Sequence, residues 1–130
     1  MGKAIKVLLT KSRQDAHDRG VRSIAMAFRD AGMETILTRY ATPDEIVAVA
    51  LEEDVDVIGI STFTLGFYDA TRVAELMKEK NMDDVLFIIG GIIPDDDIPG
   101  LLALGVARVF GPGVPPEEAA AFVQEKKGQG

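Results

Sequence analysis

Val55-Asp56-Val57-Ile58-Gly59-Ile60-Ser61 is the stretch that decides the fold. Apart from Asp56 it is apolar and β-branched, too short for an ordinary helix, and it ends on a hydroxyl, so it reads as a strand buried on both faces. Val85-Leu86-Phe87-Ile88-Ile89, running into Gly90-Gly91, has the same character. A strand with no polar face needs cover above and below. In a single chain that cover is helices on both sides of a parallel sheet.

Three more runs extend the pattern: Ile5-Lys6-Val7-Leu8-Leu9, Thr35-Ile36-Leu37 and Val106-Ala107-Arg108-Val109-Phe110. Between the runs lie stretches of helical period, carried by Val21, Ile24, Ala25 and Phe28, then by Ile46, Val49 and Ala50. Ala70, Val73, Ala74 and Met77 form the third such stripe, and Ala119, Phe122 and Val123 the last. Ile98, Leu101 and Leu102, after Pro94-Asp95-Asp96-Asp97, predict a short fourth helix. Thr42-Pro43-Asp44-Glu45 reads as a capping box with proline at the first helical position, and Gly32 and Gly105 fall where helices should stop. The second and fifth runs carry Thr, Glu or Arg and suit the sheet edges.

The expectation is a single flavodoxin-like (Rossmann-like) α/β domain, a five-stranded parallel sheet in the order 2-1-3-4-5 with helices on both faces. It spans residues 1–125, leaving 126–130 as a frayed tail. Ligands of such sheets bind beyond the carboxyl ends of the strands, at the switch point between the first and third. The loops to search are therefore 10–20, 61–69, 90–97 and 110–116.

Composition narrows the chemistry. A chain of 130 residues supports one domain, and 47% hydrophobic with 27% charged residues is enough to bury a core. The formal net charge of −7 opposes phosphate backbones and anionic lipid, so neither nucleic acid nor membrane is expected as a partner. The absence of cysteine removes disulfides, thiolate metal sites and a cysteine nucleophile together. The apolar start Ala4–Leu9 is too short for a signal or spanning segment, and a cytoplasmic location is expected.

The first switch-point loop holds the single histidine, His17, two residues after Asp15 and three before Gly20. An imidazole whose Nδ1–H is held by a carboxylate keeps Nε2 free as a donor to a metal. One histidine without cysteine makes no protein-only metal site, so a metal here must bring most of its own ligands, as in a macrocycle. Read alone, His17 is more simply a surface residue opening the first helix and paired with Asp15 or Asp18. The third, fourth and fifth strands run into Ser61-Thr62-Phe63, Gly90-Gly91 and Gly111-Pro112-Gly113 on the same rim. Small residues and hydroxyls there suit a groove that admits a long polar ligand between sheet and helices.

Together these residues resemble the cobalamin-binding domain of the coenzyme-dependent mutases, whose signature is Asp-x-His-x-x-Gly, then Ser-x-Leu, then Gly-Gly. Asp15, His17 and Gly20 match the first element, Ser61 the second, and Gly90 with Gly91 the third, over about Ile5 to Val123. The wording is most similar to the small subunit or C-terminal domain of methylmalonyl-CoA mutase and related acyl-CoA mutases. Examples are His17-Asp18-Arg19-Gly20, Glu53-Asp54-Val55-Asp56-Val57 and Phe110-Gly111-Pro112-Gly113.

The resemblance implies the cobalamin-binding subunit of an adenosylcobalamin-dependent acyl-CoA mutase, an isomerase that rearranges a carbon skeleton by radical chemistry and is inactive as this chain alone. It implies base-off cobalamin with His17 as lower axial ligand to cobalt, Asp15 holding the His17 Nδ1–H, and Lys11 behind Asp15 as its charge partner. The implied cofactor-binding set is Lys11, Asp15, Asp18, Arg19, Gly20, Ser61, Thr62, Phe63, Gly90, Gly91 and Gly111. The implied partner is a (β/α)8 large subunit that binds the acyl-CoA and covers the corrin.

The chain departs from the pattern at Arg13 and Ala16, where the family commonly has glycine, and at Phe63, where it has leucine. The larger side chains narrow the entrance and the tail pocket. Phe63, Phe67 and Tyr68 either pack the third helix on the sheet or mark an altered pocket. Two other functions stay open at this point: a corrinoid carrier for methyl transfer, which lacks its helical cap here, and a regulatory module that keeps the fold without the cofactor.

Overall fold

A computed structural model of the chain describes residues 4–13, 19–62 and 66–128. Strands and helices alternate from end to end: β1 (Lys6–Ser12), α1 (Arg19–Asp30), β2 (Glu34–Tyr40), α2 (Pro43–Glu53), β3 (Val57–Thr62), α3 (Gly66–Glu79), β4 (Leu86–Gly91), α4 (Ile98–Ala103), β5 (Arg108–Phe110) and α5 (Pro116–Lys127). The five strands are parallel and lie in the order β2-β1-β3-β4-β5, with the two polar strands at the edges as their composition requires.

Two apolar layers sandwich the sheet. Val7, Leu9, Val57, Ile88 and Phe110 face α1 and α5, while Leu8, Ile58, Ile60, Phe87 and Ile89 face the α2, α3 and α4 side. The strict alternation along each central strand is the period of two that a strand imposes on its side chains. Most residues of the expected helical stripes are buried, including Val21, Ala25, Phe28, Val73, Ala119 and Val123, and Ile24, Val49, Ile98 and Phe122 are half-buried. Leu102 of the short α4 is the exception, being 47% exposed.

Several local details differ from the sequence reading. Strands β1, β3 and β4 continue two to three residues beyond their apolar runs, because Lys11 and Ser12 pair with Arg39 and Tyr40, and Ser61 and Thr62 with Gly90 and Gly91. The polar carboxyl ends are thus part of the sheet, not of loops. At α2 the capping box is shifted. Glu45 accepts from the Ala41 N–H at 3.1 Å and from the Thr42 hydroxyl at 3.5 Å, so it reaches one residue further back than a box does. Gly32 and Gly105 do end helices in the left-handed region, at φ +88° and +112°. Asp54 and Asn81 serve the same purpose after α2 and α3, at φ 53° and 58°, a role that short polar side chains tolerate.

The tail also differs. Lys126 and Lys127, assigned above to a frayed end, form the last turn of α5, where the Lys127 ammonium donates to the Asp84 carbonyl. Cations at a helix C-terminus are favoured by its dipole, and Val123 anchors the preceding turn in the core. Among the described residues no helix is long and apolar enough to cross a membrane.

At the amino end of the sheet, Lys6 lies 3.1 Å from Glu53 and 3.7 Å from Glu34. The hydrogen bond to Glu53, more than the charge of Glu34, holds the Lys6 ammonium pKa above its ordinary value.

Candidate functional site

Register builds the site. Across the carboxyl ends, Lys11 pairs with Ser61, Ser61 with Gly90 and Gly90 with Phe110, so these four residues form one row on the α1/α5 face. One step nearer the amino ends, Leu9, Gly59 and Ile88 form the next row. Gly59, Ser61 and Gly90 put almost no side chain over β3 and β4. The result is a slot between the sheet and the two helices, lined by Leu9, Val21, Ile24, Ser61, Gly90 and Ala119 among others.

The slot is narrow in this conformation. Its free volume is about 30 Å3, room for a water molecule and far below the several hundred cubic ångströms of an ordinary ligand pocket. Its lining is apolar apart from the Ser61 hydroxyl, which suits a flat aromatic group with one hydrogen-bonding edge. Entry of such a group requires the first turns of α1, carrying Val21 and half-buried Ile24, to move off Gly90. Gly59 is itself filled by its neighbours, since a Cβ there would lie 2.7 Å from the Leu9 Cδ2. The sequence reading missed Gly59 as a site residue. A glycine inside a β-branched strand is the signal for such a close approach.

Each residue of the expected set has a place. Lys11 is 1% exposed in the row just described, a depth at which an ammonium must be compensated, and it is engaged with groups of the chain. Arg19 and Gly20 open α1 at the surface. Ser61 ends on the slot face. Thr62, next in the strand, alternates to the other face, as does Gly91 paired with it.

Gly91 has its own reason to be glycine. Its φ is +127° and a Cβ would overlap the Thr62 carbonyl oxygen, which also accepts from the Ile92 N–H at 3.3 Å. Gly111 follows β5 with open space where a side chain would stand. Tyr68 is 77% exposed and does not pack α3 on the sheet. Asp15, His17, Asp18 and Phe63 lie outside the described residues, as do Ala16 and the side chain of Phe67.

A second opening lies on the outer flank of α1, between that helix and strands β1 and β2. It has a volume of about 470 Å3 and is lined by Lys11, Arg13, Val21, Arg22, Leu37, Thr38 and Arg39. Val21 thus borders both openings, and α1 is the wall between them. The sequence reading considered Arg13 only as an obstruction and did not connect it with Arg22 and Arg39. Residues 17 and 26 positions apart converge only through the β1–β2 pairing and the packing of α1.

A parallel α/β domain in the order β2-β1-β3-β4-β5 is of the doubly wound class that binds ligands beyond the carboxyl ends of its strands, at the switch point between β1 and β3. Residues 5–121 match the B12 binding domain, and the chain belongs to that family. It is 43% identical over 120 residues to the pivalyl-CoA mutase small subunit of Xanthobacter autotrophicus, covering 92% of this chain and 81% of that one. It is 40% identical over 115 residues to the 2-hydroxyisobutanoyl-CoA mutase small subunit of Aquincola tertiaricarbonis, covering 87% and 85%. Among solved structures, a cobalamin-binding protein from Desulfitobacterium hafniense superposes with a TM-score of 0.80 at 19% identity, over 95% of this chain and 60% of the other. At that identity the likeness concerns the fold.

Proposed function

We infer that this chain is the cobalamin-binding small subunit of an adenosylcobalamin-dependent acyl-CoA mutase and works with a separate (β/α)8 large subunit that binds the thioester. The observation that carries this reading is the slot over Gly59, Ser61 and Gly90, aligned in register with buried Lys11, in a chain of the B12-binding family. Its apolar lining and single hydroxyl fit the benzimidazole end of a displaced nucleotide tail.

In this reading His17 would ligate the cobalt, Asp15 would accept its Nδ1–H, and Lys11 would offset the Asp15 charge. A buried ammonium one strand position from the loop favours the ionised carboxylate, and the ionised carboxylate makes the imidazole a better donor. Asp18, Arg19 and Gly20 shape the edge of the lower face. Ser61, Phe63, Gly90 and Gly111 would border the tail, while Thr62 and Gly91, which face the other side of the sheet, would act only through the backbone at the rim. When bound, cobalamin supplies the radical chemistry of a carbon-skeleton 1,2-rearrangement.

Titration of the isolated chain with adenosylcobalamin and with hydroxocobalamin, followed by absorbance, tests this reading. Saturable change to a base-off, histidine-ligated spectrum is expected with both. No spectral change with either would remove cobalamin from the account.

Two variants probe the slot. Alanine at 90 fits the free chain, because the added Cβ would stand 3.8 Å from both the Ile24 Cδ1 and the Phe110 oxygen. The same methyl group occupies space that the ligand needs. Gly90→Ala is therefore expected to leave the melting temperature nearly unchanged and to weaken cobalamin binding by about 1 to 3 kcal/mol, the usual cost of overpacking. Equal affinity in the titration would place the tail elsewhere.

Phe63→Leu is expected to act in the opposite direction. In this reading the ring would crowd the tail, so its removal should tighten binding by a similar amount, about 1 to 3 kcal/mol. Weaker binding would show that the ring stacks on the ligand, a contact worth about 0.5 to 1.5 kcal/mol.

A further inference from the structure

Tyr40, the last residue of edge strand β2, is bonded to two elements at the carboxyl end of the sheet. Its ring is buried in the apolar layer under α2 and α3, in one cluster with Ile46, Val47, Ala70 and Val73. A phenol at that depth places its hydroxyl on a partner. Here it donates to the carboxylate of Asp69, in the first turn of α3. The main chain of the same residue pairs with Ser12, and its carbonyl accepts from the Arg13 N–H at 2.9 Å. One residue thus holds both the exit of β1 and the start of α3.

Those two ends border the segments that carry proposed cofactor contacts. Arg13 leads toward Asp15 and His17, and α3 begins at Gly66, shortly after Phe63. Tyr40 does not reach the slot, because its ring lies in the layer of α2 and α3 and the slot opens on the α1/α5 face. Any effect on the ligand must therefore pass through the residues it holds. Among the described residues, burial anchors little of the α3 start: Tyr68 is exposed, and Ala70 is the first to enter the core. A second polar link between α2 and α3 joins Arg72 to Asp44 at 3.4 Å, but these side chains are 44% and 60% exposed, so water competes with the pair and it holds little. The Tyr40–Asp69 bond differs in kind, since it is partly buried and its acceptor is a carboxylate.

We propose that Tyr40 is a positioning residue of the cobalamin site, fixing the start of α3 through Asp69 and the exit of β1 through Arg13. The proposal rests on the small-subunit reading above and adds how the site is held. A ligand received between segments already in place spends less of its binding free energy on ordering them.

The test is titration of the full chain with hydroxocobalamin, followed by absorbance. Tyr40→Phe keeps the ring in the core and the carbonyl on Arg13, and removes only the hydroxyl. Binding is expected to weaken about tenfold, the lower end of what loss of a supporting hydrogen bond does to a metal site, while the bound spectrum stays that of the unsubstituted chain. Asp69→Ala should match it, and Tyr40→Phe/Asp69→Ala should be no weaker than either alone, because both remove the same bond. Asp69→Asn, which keeps an acceptor for the phenol, should retain most of the affinity. Two controls separate position from stability. Ile46→Val, which thins the same apolar layer, should lower the melting temperature at unchanged affinity, and Arg72→Gln, which removes the exposed link, should leave affinity unchanged.

Full affinity in Tyr40→Phe overturns the proposal while the small-subunit reading stands. Additive losses in the double variant overturn it as well, as does a loss in Ile46→Val equal to that in Tyr40→Phe, which would trace the effect to general stability. Should Tyr40→Phe not fold, the Asp69 variants decide: full affinity in Asp69→Ala, or an equal loss in Asp69→Asn, overturns the proposal, and a loss in alanine that asparagine restores supports it. If the unsubstituted chain shows no spectral change with hydroxocobalamin, the cobalamin reading falls and this inference falls with it.

Discussion

His17→Ala is expected to abolish the histidine-ligated cobalamin spectrum while leaving the fold intact. The spectrum depends on one nitrogen donor, and the chain has one histidine and no cysteine to replace it. The fold depends on two apolar layers supplied by strands and helices, filled by residues such as Phe28, Ile58, Ile89 and Val123. Absorbance titration and a thermal melt therefore separate the two contributions. A variant that keeps the spectrum would show that His17 is not the ligand. Asp15→Asn should be milder, because an amide oxygen still accepts from Nδ1–H without the charge that raises donor strength. Changes of that kind typically weaken binding by about 10- to 100-fold.

The second large effect is an all-or-none one. The purified chain is expected to turn over no acyl-CoA, and to support turnover once a (β/α)8 large subunit and adenosylcobalamin are added. The physical ground is that the slot of about 30 Å3 is too small for a thioester, and the other openings among the described residues are surface clefts that do not exclude water from a corrin face. Radical rearrangement needs that exclusion. Assay of the chain alone and with partner, against several branched acyl-CoA esters, checks the expectation. Turnover by the chain alone would overturn it.

The slot and the opening on the outer flank of α1 share one wall. Val21 lines both, on the first turn of α1 that must yield for a ligand to enter beside Gly90. The helix is held at its far end by the Arg29 guanidinium, which donates to the Thr35 carbonyl at 3.1 Å, and by Gln124 of α5, which donates to the Ala31 carbonyl just beyond α1 at 3.0 Å. Its carboxyl end is pinned while its amino end borders both openings.

The amino-acid sequence by itself determined the element order, the strand order and most of the core. Those features rest on local patterns, a continuous apolar run along Val55–Ile60 and a period of 3.6 along Val21–Phe28, and on the right-handed crossover that leaves few ways to assemble alternating strands and helices. The candidate ligand positions were legible for a related reason, since Ser61 and Gly90-Gly91 stand where apolar runs end. Only the tertiary structure decided which of those residues act together. Register across four strands put Lys11, Ser61 and Gly90 on the slot face and turned Thr62 and Gly91 away from it. No local pattern encodes that register, because parallel strands are aligned by helices packing at a distance in the chain. The same packing gathered Arg13, Arg22 and Arg39 around Leu37 and closed the slot with Ile24, two contacts that exist only after α1 has settled on the sheet.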